Sequence, residues 1–185
     1  MEQVIKVLDH GYVKLIDSMG TDEDIISAAR MSTNKGFEGW EKDEKLLEFL
    51  WENRHTSPFE MCELAIEVQA PLFVFREWQR HRTQSYNELS ARYTQMPDLH
   101  YVPAGGRFTP KVTGNKQESG FASKFVMTEE AARMNVEEEQ KEIYKTYEDL
   151  LNAGVPKEVA RVNTPVSRYS RMRAKTDLLN WLKFL

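Results

Sequence analysis

The chain has 185 residues, of which 41% are hydrophobic and 29% are charged, so it is long enough to bury a core of its own. Its single cysteine, Cys62, excludes an intrachain disulfide and favours a reducing, cytoplasmic setting. The formal net charge of −4 argues against a globally basic nucleic-acid-binding protein. The sequence shows neither a secretory signal nor the roughly 18 apolar residues of a membrane span, so we expect no membrane partner.

Short strands and two amphipathic helices are predicted in the first third of the chain. Residues 4–16 mix polar and β-branched residues, which is typical of one or two short strands. Thr21 stands three residues before Asp24, and this spacing predicts a capped helix over residues 21–32. A second helix is predicted over residues 40–53, because leucines recur there at helical spacing.

The middle of the chain predicts a strand, a loop and a long helix. Residues 62–69 alternate between apolar and polar side chains, which is the pattern of a half-buried strand. Pro71 ends this strand, and a helix is predicted over residues 72–82. Residues 97–123 are rich in proline and glycine and predict a long loop. The longest helix is predicted over residues 125–153.

The end of the chain combines an apolar and basic stretch with a final helix that reaches Leu185. Strands and helices alternate irregularly along the whole sequence. We therefore expect the α+β class, with a mixed sheet packed with long helices in one domain over residues 1–185.

Two short segments of this acidic chain gather arginines. Residues 76–92 hold four arginines and two acids, and residues 161–175 hold four arginines, one lysine and no acid. The forked donors of arginine suit bidentate binding of phosphate. The segments thus predict a site for a phosphate-rich small ligand, held by a helix end and the loop after it. The alternative is a solvated basic face neutralised by acids elsewhere in the chain.

Other common kinds of site find little support in the sequence. No two of the four histidines show the spacing of a metal site, and we predict no metal. Cys62 falls on the apolar face of its strand and is expected to be a small buried hydrophobic residue. No glycine-rich phosphate loop and no nucleophile elbow are present.

The run RHRTQSYNELSARY, residues 80–93, resembles the signature of the flavin-dependent thymidylate synthases, in which an RHR triplet precedes an NExSxRY run. Four further segments resemble the family's other motifs in the right order. They are HTSPFE at 55–60, APLFV at 70–74, ARVNTP at 160–165 and NWLKFL at 180–185.

This resemblance implies a homotetramer of α/β subunits with FAD bound where subunits meet. It implies NADPH as reductant, methylenetetrahydrofolate as carbon donor and dUMP as the substrate that becomes dTMP. The competing class of thymidylate synthases needs a cysteine nucleophile, which a buried Cys62 supplies poorly. The flavin route needs no protein nucleophile, because the cofactors carry the difficult chemistry.

The resemblance also implies roles for individual residues. The expected FAD-binding residues are His55, Ser57, Arg80, His81, Arg82, Asn87 and Lys183. The expected dUMP-binding residues are Glu77, Arg80, Glu88, Leu89, Ser90, Ala91, Arg92 and Arg161.

Three positions depart from the family pattern. Met61 replaces a common histidine, Glu77 replaces glutamine, and Lys183 replaces asparagine or histidine. The arginine most often called catalytic in the family falls beyond the position of Leu185, so the catalytic residue is unassigned. We therefore expect flavin binding with weak or absent methylation by the 185-residue form.

Three alternatives stay open. The protein is either this enzyme, a non-catalytic flavin- or nucleotide-binding form, or a flavin-dependent methylase of another pyrimidine nucleotide, for which Glu77 is the hint. A nucleic-acid-binding function is the least favoured, because the net charge is negative and no RNA-binding signature is present.

Overall fold

The structure, a computed structural model, describes residues 3–108 and 127–185. The strands are Val4–Val7 (β1), Gly11–Met19 (β2), Glu63–Pro71 (β3), Ser85–Glu88 (β4) and Tyr169–Asp177 (β5). The α-helices are Asp22–Arg30 (α1), Trp40–Glu52 (α2), Leu72–Trp78 (α3), Glu129–Asn152 (α4), Lys157–Ala160 (α5) and Leu178–Phe184 (α6). Short 3₁₀ turns occur at Met31–Thr33, Ser57–Met61 and Arg161–Asn163.

The strands form one sheet in the order β1-β2-β3-β5-β4. The α+β class is confirmed, but the expected mixture of strand directions is wrong, because every neighbouring pair is antiparallel. The connection through α3 explains this arrangement. It places β4 in the same direction as β3, as crossover connections do, but one strand position away from it. β5 lies between the two strands and runs antiparallel to both.

β5 is a strand that the sequence patterns did not predict. Its burial alternates along the strand, with Met172 and Ala174 buried and Arg171 and Arg173 exposed. This is the two-residue period of a sheet with one covered face. The cations that suggest a ligand-binding segment in the sequence are the outward-facing residues of this strand.

Helix boundaries agree with the predictions at some ends and differ at others. The predicted capping box is confirmed, since Thr21 and Asp24 exchange hydrogen bonds at the start of α1. The helix predicted over 72–82 ends at Trp78. There the N–H groups of Arg80 and His81 bond carbonyls three residues back, which tightens the chain into a turn.

The longest predicted helix begins later than expected. Thr128 caps it by accepting a hydrogen bond from the N–H of Ala131, and α4 starts at Glu129. Residues 125–126, where this helix was predicted to start, and residues 109–123 of the predicted loop lie outside the described residues. Within the described part of the loop, His100 pairs with Arg168 in an isolated β-bridge.

Buried apolar side chains form separate clusters, and α6 belongs to two of them. The cluster on the inner face of the sheet is Val68, Ala70, Phe75, Met172, Ala174 and Trp181. The cluster beside α1 and α2 is Ile25, Leu50, Phe59, Cys62 and Leu179. The interpretation of Cys62 as a buried hydrophobic residue is thus confirmed. Gly20 is required next to it, because its φ is +86° and a Cβ atom would lie 2.6 Å from the Cys62 sulfur.

A buried ion pair joins α1 to α2. The Asp43 side chain is fully buried and accepts hydrogen bonds from the Arg30 guanidinium and, at 2.7 Å, from the N–H of Glu38. Arg30 also contacts the partly exposed Glu38 carboxylate at 2.9 Å. Removal of Asp43 would take away the buried partner of Arg30 and the acceptor of the Glu38 N–H, and loss of one member of a buried pair is strongly destabilising.

We expect Asp43→Ala to lower the free energy of unfolding by about 3 kcal/mol. Urea denaturation measures this loss. The matched control is Glu44→Ala, an exposed neighbour on the same helix, for which a change under about 0.5 kcal/mol is expected. Equal effects of the two substitutions would contradict the role of the pair.

The turn between β1 and β2 is tied to β5 by the carboxylate of Asp9. This group accepts hydrogen bonds from the hydroxyl of buried Tyr169 and, at 3.1 Å, from the N–H of Val102. Burial alone would raise the pKa of Asp9, but its hydrogen bonds together lower it from the ordinary 3.8. Because the folded pKa is lowered, the carboxylate stabilises the fold above the ordinary pKa, and this contribution is lost as the pH falls through the folded pKa.

We therefore expect Asp9→Asn to reduce stability at pH 7 and to flatten the loss of stability in acid, below about pH 5. Thermal unfolding of both forms across pH 2–7 measures the difference. Asp149→Asn, at an exposed carboxylate on α4, serves as control and is expected to leave the acid limb unchanged. Parallel pH profiles for the native chain and Asp9→Asn would rule the contribution out.

Candidate functional site

The two basic segments meet at a pocket of about 480 Å³. Small-molecule sites in proteins commonly enclose about 300–1,000 Å³. The lining residues come from α3, the end of β4 and the chain after it, the α5 region and the start of β5. They are Leu72, Arg76, Glu88, Leu89, Ala91, Met96, Glu158, Arg161, Val162, Thr164 and Ser170. This cavity is called the α3–α5 pocket below.

Secondary structure fixes the charged groups around the α3–α5 pocket. α3 presents Arg76 in its last turn, and β4 ends at Glu88. The N–H of Leu89 donates to the carbonyl of Arg171 at 2.8 Å and extends the pairing of β4 with β5. Arg161 opens the 3₁₀ turn that follows α5 and is half-buried. A local sequence window could not reveal this meeting, since it depends on how β4 and β5 pair.

The charges in the α3–α5 pocket are mixed. Two arginines, Arg76 and Arg161, line the cavity together with two glutamates, Glu88 and Glu158. Guanidinium groups bind phosphate, whereas carboxylates accept hydrogen bonds from hydroxyl and N–H groups. Such a lining suits a ligand that carries both an anion and hydrogen-bond donors better than it suits a simple polyanion.

A second pocket of about 340 Å³ shares Glu88 and Leu89 with the first. It opens on the outer face of the sheet and is also lined by Glu67, Asn87, Arg171, Met172 and Arg173. Asn87 was an expected FAD-binding residue, and Arg171 and Arg173 belong to the basic segment 161–175 that was predicted to bind a phosphate-rich ligand. Glu67 was assigned no role from the sequence. The alternation of apolar and charged residues along β5 is the sequence signal that places Arg171 and Arg173 on its outward side.

The carboxylate of Glu67 is held ionised between neighbours on adjacent strands. The Tyr12 hydroxyl donates to Glu67 Oε1 at 2.8 Å, and Arg173 Nε lies 3.4 Å from Oε2. The hydrogen bond from Tyr12, with a smaller contribution from Arg173, lowers the pKa of Glu67 below its ordinary value. Glu67 therefore offsets part of the positive charge of this face.

The Arg80-His81-Arg82 triplet lies outside both pockets. It forms the turn between α3 and β4. Ser85 and Glu88 stand at opposite ends of β4, so about 10 Å of strand separates the end of the turn from Glu88 of the α3–α5 pocket. The His81 ring packs against Phe184 of α6, with 4.7 Å between ring centroids.

The expected flavin residues His55 and Ser57 lie near the far end of α6. His55 follows α2 and is exposed, with its ring 5.7 Å from that of Phe49. Ser57 begins the 3₁₀ turn whose Phe59 packs with Leu179. Lys183 is exposed on α6 itself. α6 therefore packs against His81 through Phe184 and against the 3₁₀ turn of Ser57 through Leu179.

The α3–α5 pocket brings together half of the expected dUMP-binding residues. Its lining includes Glu88, Leu89, Ala91 and Arg161, and it lacks Glu77, Arg80, Ser90 and Arg92. The Arg92 guanidinium lies 5.1 Å from the ring centroid of exposed Tyr93. Arg76 lies in a basic segment that was predicted to bind phosphate, whereas sequence reasoning gave no individual role to Glu158, Thr164 and Ser170.

Within residues 3–108 and 127–185, no cluster of three or more His, Cys, Asp or Glu side chains is placed to hold a metal ion. None of the helices in the same ranges is long and apolar enough to cross a membrane.

Comparison with known proteins gives the family. A family model described as thymidylate synthase complementing protein matches residues 14–185. The chain belongs to this family. Curated relatives of this thymidylate synthase complementing family carry the name flavin-dependent thymidylate synthase, so the resemblance drawn from the RHR and NELSARY runs is confirmed.

Similarity to family members extends over nearly the whole chain. The flavin-dependent thymidylate synthase of Anaplasma marginale is 40% identical over 100% of this chain and 63% of its own length. That of Thermus thermophilus is 41% identical over 98% of this chain and 65% of its own length. The chain thus spans less than two thirds of these relatives. A solved UMP/dUMP methylase, PolB from Streptomyces cacaoi bound with 5-Br dUMP, gives a TM-score of 0.82 at 30% identity, covering 98% of this chain and 79% of that one.

We expect Tyr12→Phe to raise the pKa of Glu67, because the substitution removes the hydrogen bond that contributes most to its lowering. NMR titration of the glutamate side-chain carbons measures the shift. Arg173→Met is the comparison variant and is expected to give a smaller rise, since its contact is longer and its side chain is largely exposed. An unchanged Glu67 titration in Tyr12→Phe would disprove the assignment.

Proposed function

We propose that the protein is a flavin-dependent thymidylate synthase that converts dUMP to dTMP, with FAD as cofactor, NADPH as reductant and methylenetetrahydrofolate as carbon donor. The observation that carries the proposal is the meeting of Arg76, Arg161 and Glu88 in one pocket within a chain of this family. A deoxyuridine monophosphate has the phosphate, the sugar hydroxyl and the base N–H that such a mixed lining can bind.

Within this pocket the protein's contribution is binding and orientation. Arg161 and Arg76 would hold the phosphate, and Glu88 and Glu158 would accept hydrogen bonds from the sugar or the base. Leu89, Ala91 and Met96 supply apolar walls that reduce the access of water. Fixed geometry of this kind lowers the entropic cost of bringing the reacting groups together.

The described residues also fit FAD. The exposed guanidinium groups of Arg80 and Arg82 suit its pyrophosphate, and the His81 ring, steadied by Phe184, offers a flat surface beside them. His55, Ser57, Asn87 and Lys183 are the further residues that would hold it. Once reduced by NADPH, the bound flavin would supply the hydride for reducing the transferred one-carbon group.

The state of Cys62 favours the flavin route over nucleophilic catalysis. The thiol is buried, and its sulfur lies 3.5 Å from the carbonyl of Thr21. Burial raises the pKa of this thiol, with a smaller effect from Asp24, so the nucleophilic thiolate is disfavoured. A covalent mechanism through Cys62 would need both exposure and a lowered pKa, and neither is present.

The proposal extends to assembly and location. Both the turn of the triplet and the outer pocket lie at the surface of the subunit, where a second copy can complete the FAD site. We therefore propose the homotetramer, with FAD at the subunit interfaces. NADPH, folate and a reduced thiol are compatible with the cytoplasm.

A second candidate is methylation of another pyrimidine nucleotide. Solved structures of PolB, a UMP/dUMP methylase, are described with 5-Br dUMP and with 5-Br UMP, and both are similar to this chain. Product analysis with dUMP, UMP and dCMP in parallel separates this candidate from the leading proposal, because only methylation of dUMP yields dTMP.

The proposed function requires that the purified chain bind FAD and, with NADPH and methylenetetrahydrofolate, form dTMP from dUMP. FAD binding with weak or absent dTMP formation would instead match the expectation drawn from the sequence. Arg161→Ala is expected to raise the KM for dUMP about 10- to 100-fold through loss of a charge-assisted phosphate contact. Absorbance of bound flavin and chromatography of the product provide the measurements.

The control for Arg161→Ala is Lys157→Ala, which removes a cation of α5 that does not line the pocket. It is expected to leave the KM for dUMP within twofold of the native value. A chain that takes up no FAD, or an Arg161→Ala variant with an unchanged KM for dUMP, would refute the proposed function.

A further inference from the structure

The backbone of the Arg80-His81-Arg82 turn is fastened by hydroxyl groups from two neighbouring strands. The Tyr86 hydroxyl, on β4, lies 2.5 Å from the carbonyl oxygen of His81 and 3.3 Å from that of Trp78. It has one hydrogen to donate, and the shorter contact is with His81. The hydroxyl of Thr176, on β5, donates to the carbonyl of Thr83 at 2.8 Å.

Ring contacts hold the same turn from a third side. Phe184 packs against His81 and against Trp78, in both cases with 4.7 Å between ring centroids. The Trp78 indole N–H donates to Gln84 Oε1 at 2.8 Å, which closes the turn across its base. The backbone from residue 78 to residue 84 is thus held at both ends and near its middle.

The guanidinium groups on this turn are left free. Arg80 and Arg82 are exposed, and within residues 3–108 and 127–185 no carboxylate lies at ion-pairing distance from either. An ordinary solvated loop has mobile backbone and mobile side chains. Here hydrogen bonds hold the backbone, and the two guanidinium groups are exposed to solvent. Less conformational entropy is therefore lost when an anion binds.

We propose that Tyr86 and Thr176 are positioning residues for the FAD-binding turn, acting through the carbonyl groups of His81 and Thr83. The inference rests on the proposed function, in which Arg80, His81 and Arg82 contact FAD. Neither residue is among those expected to touch FAD or dUMP. Burial raises the pKa of the Tyr86 hydroxyl, which keeps it protonated and able to donate.

Both positions can be tested by removing a hydroxyl with little change of shape. We expect Tyr86→Phe and Thr176→Val each to weaken FAD binding about three- to tenfold, measured by quenching of flavin fluorescence on the full 185-residue chain. The Kd for dUMP, whose proposed pocket the turn does not line, is expected to stay within twofold. Thr176→Ser, which restores a hydroxyl, is expected to recover most of the FAD affinity.

The matched control is Thr146→Val, because the Thr146 hydroxyl also donates to a backbone carbonyl, that of Glu142 at 3.0 Å, but on the exposed surface of α4. No change in FAD binding is expected there. Native FAD affinity in both test variants, or equal losses for FAD and dUMP, would overturn the inference while leaving the proposed function intact. Absence of FAD binding by the unmodified chain would instead reject both. If Thr176→Val does not fold, the FAD affinity of Tyr86→Phe alone tests the inference.

Discussion

The placement of β5 between β3 and β4 is the constraint on which the rest of the structure depends. One side of β5 inserts Met172 and Ala174 into the inner cluster, and the other side carries Arg171 and Arg173 to the outer pocket. The same strand supplies Ser170 to the α3–α5 pocket and Thr176 to the turn. A shift of β5 by one residue would exchange its two faces, so that cations would enter the core. The register of one strand therefore sets the geometry of both pockets and helps to hold the turn that follows α3.

Much of the local structure could be predicted from the sequence, because its signals lie close together along the chain. Thr21 and Asp24 gave the start of α1, and the alternation around Val68 gave β3. β4 has only four residues, and a two-residue alternation cannot be recognised over so short a segment. The strand order, which decides that Arg76 meets Arg161, depends on pairings between distant residues and has no local signal.

In the candidate sites, backbone held by hydrogen bonds carries exposed, charged side chains. Acids and cations balance across the α3–α5 pocket, while Glu67 offsets the arginines of the outer face. The family motif identifies groups that point toward ligands, such as Arg80 and Glu88. It does not identify the groups that hold the backbone in place, such as Tyr86. A hydroxyl that donates to a backbone carbonyl can do so whatever the side chain of the accepting residue, so a short motif does not reveal it. Such groups become visible through contacts between separate strands.

The pairing of β3 with β5 has a consequence for the order of events during translation. Glu67 and Arg173 are partners in this pairing although 106 positions separate them along the chain. Until residues 169–177 leave the ribosome, one edge of β3 has no strand to cover it, and neither ligand pocket exists. Because distant pairings fold slowly and open strand edges attract other chains, a nascent polypeptide of this kind benefits from chaperones that shield β3 during synthesis.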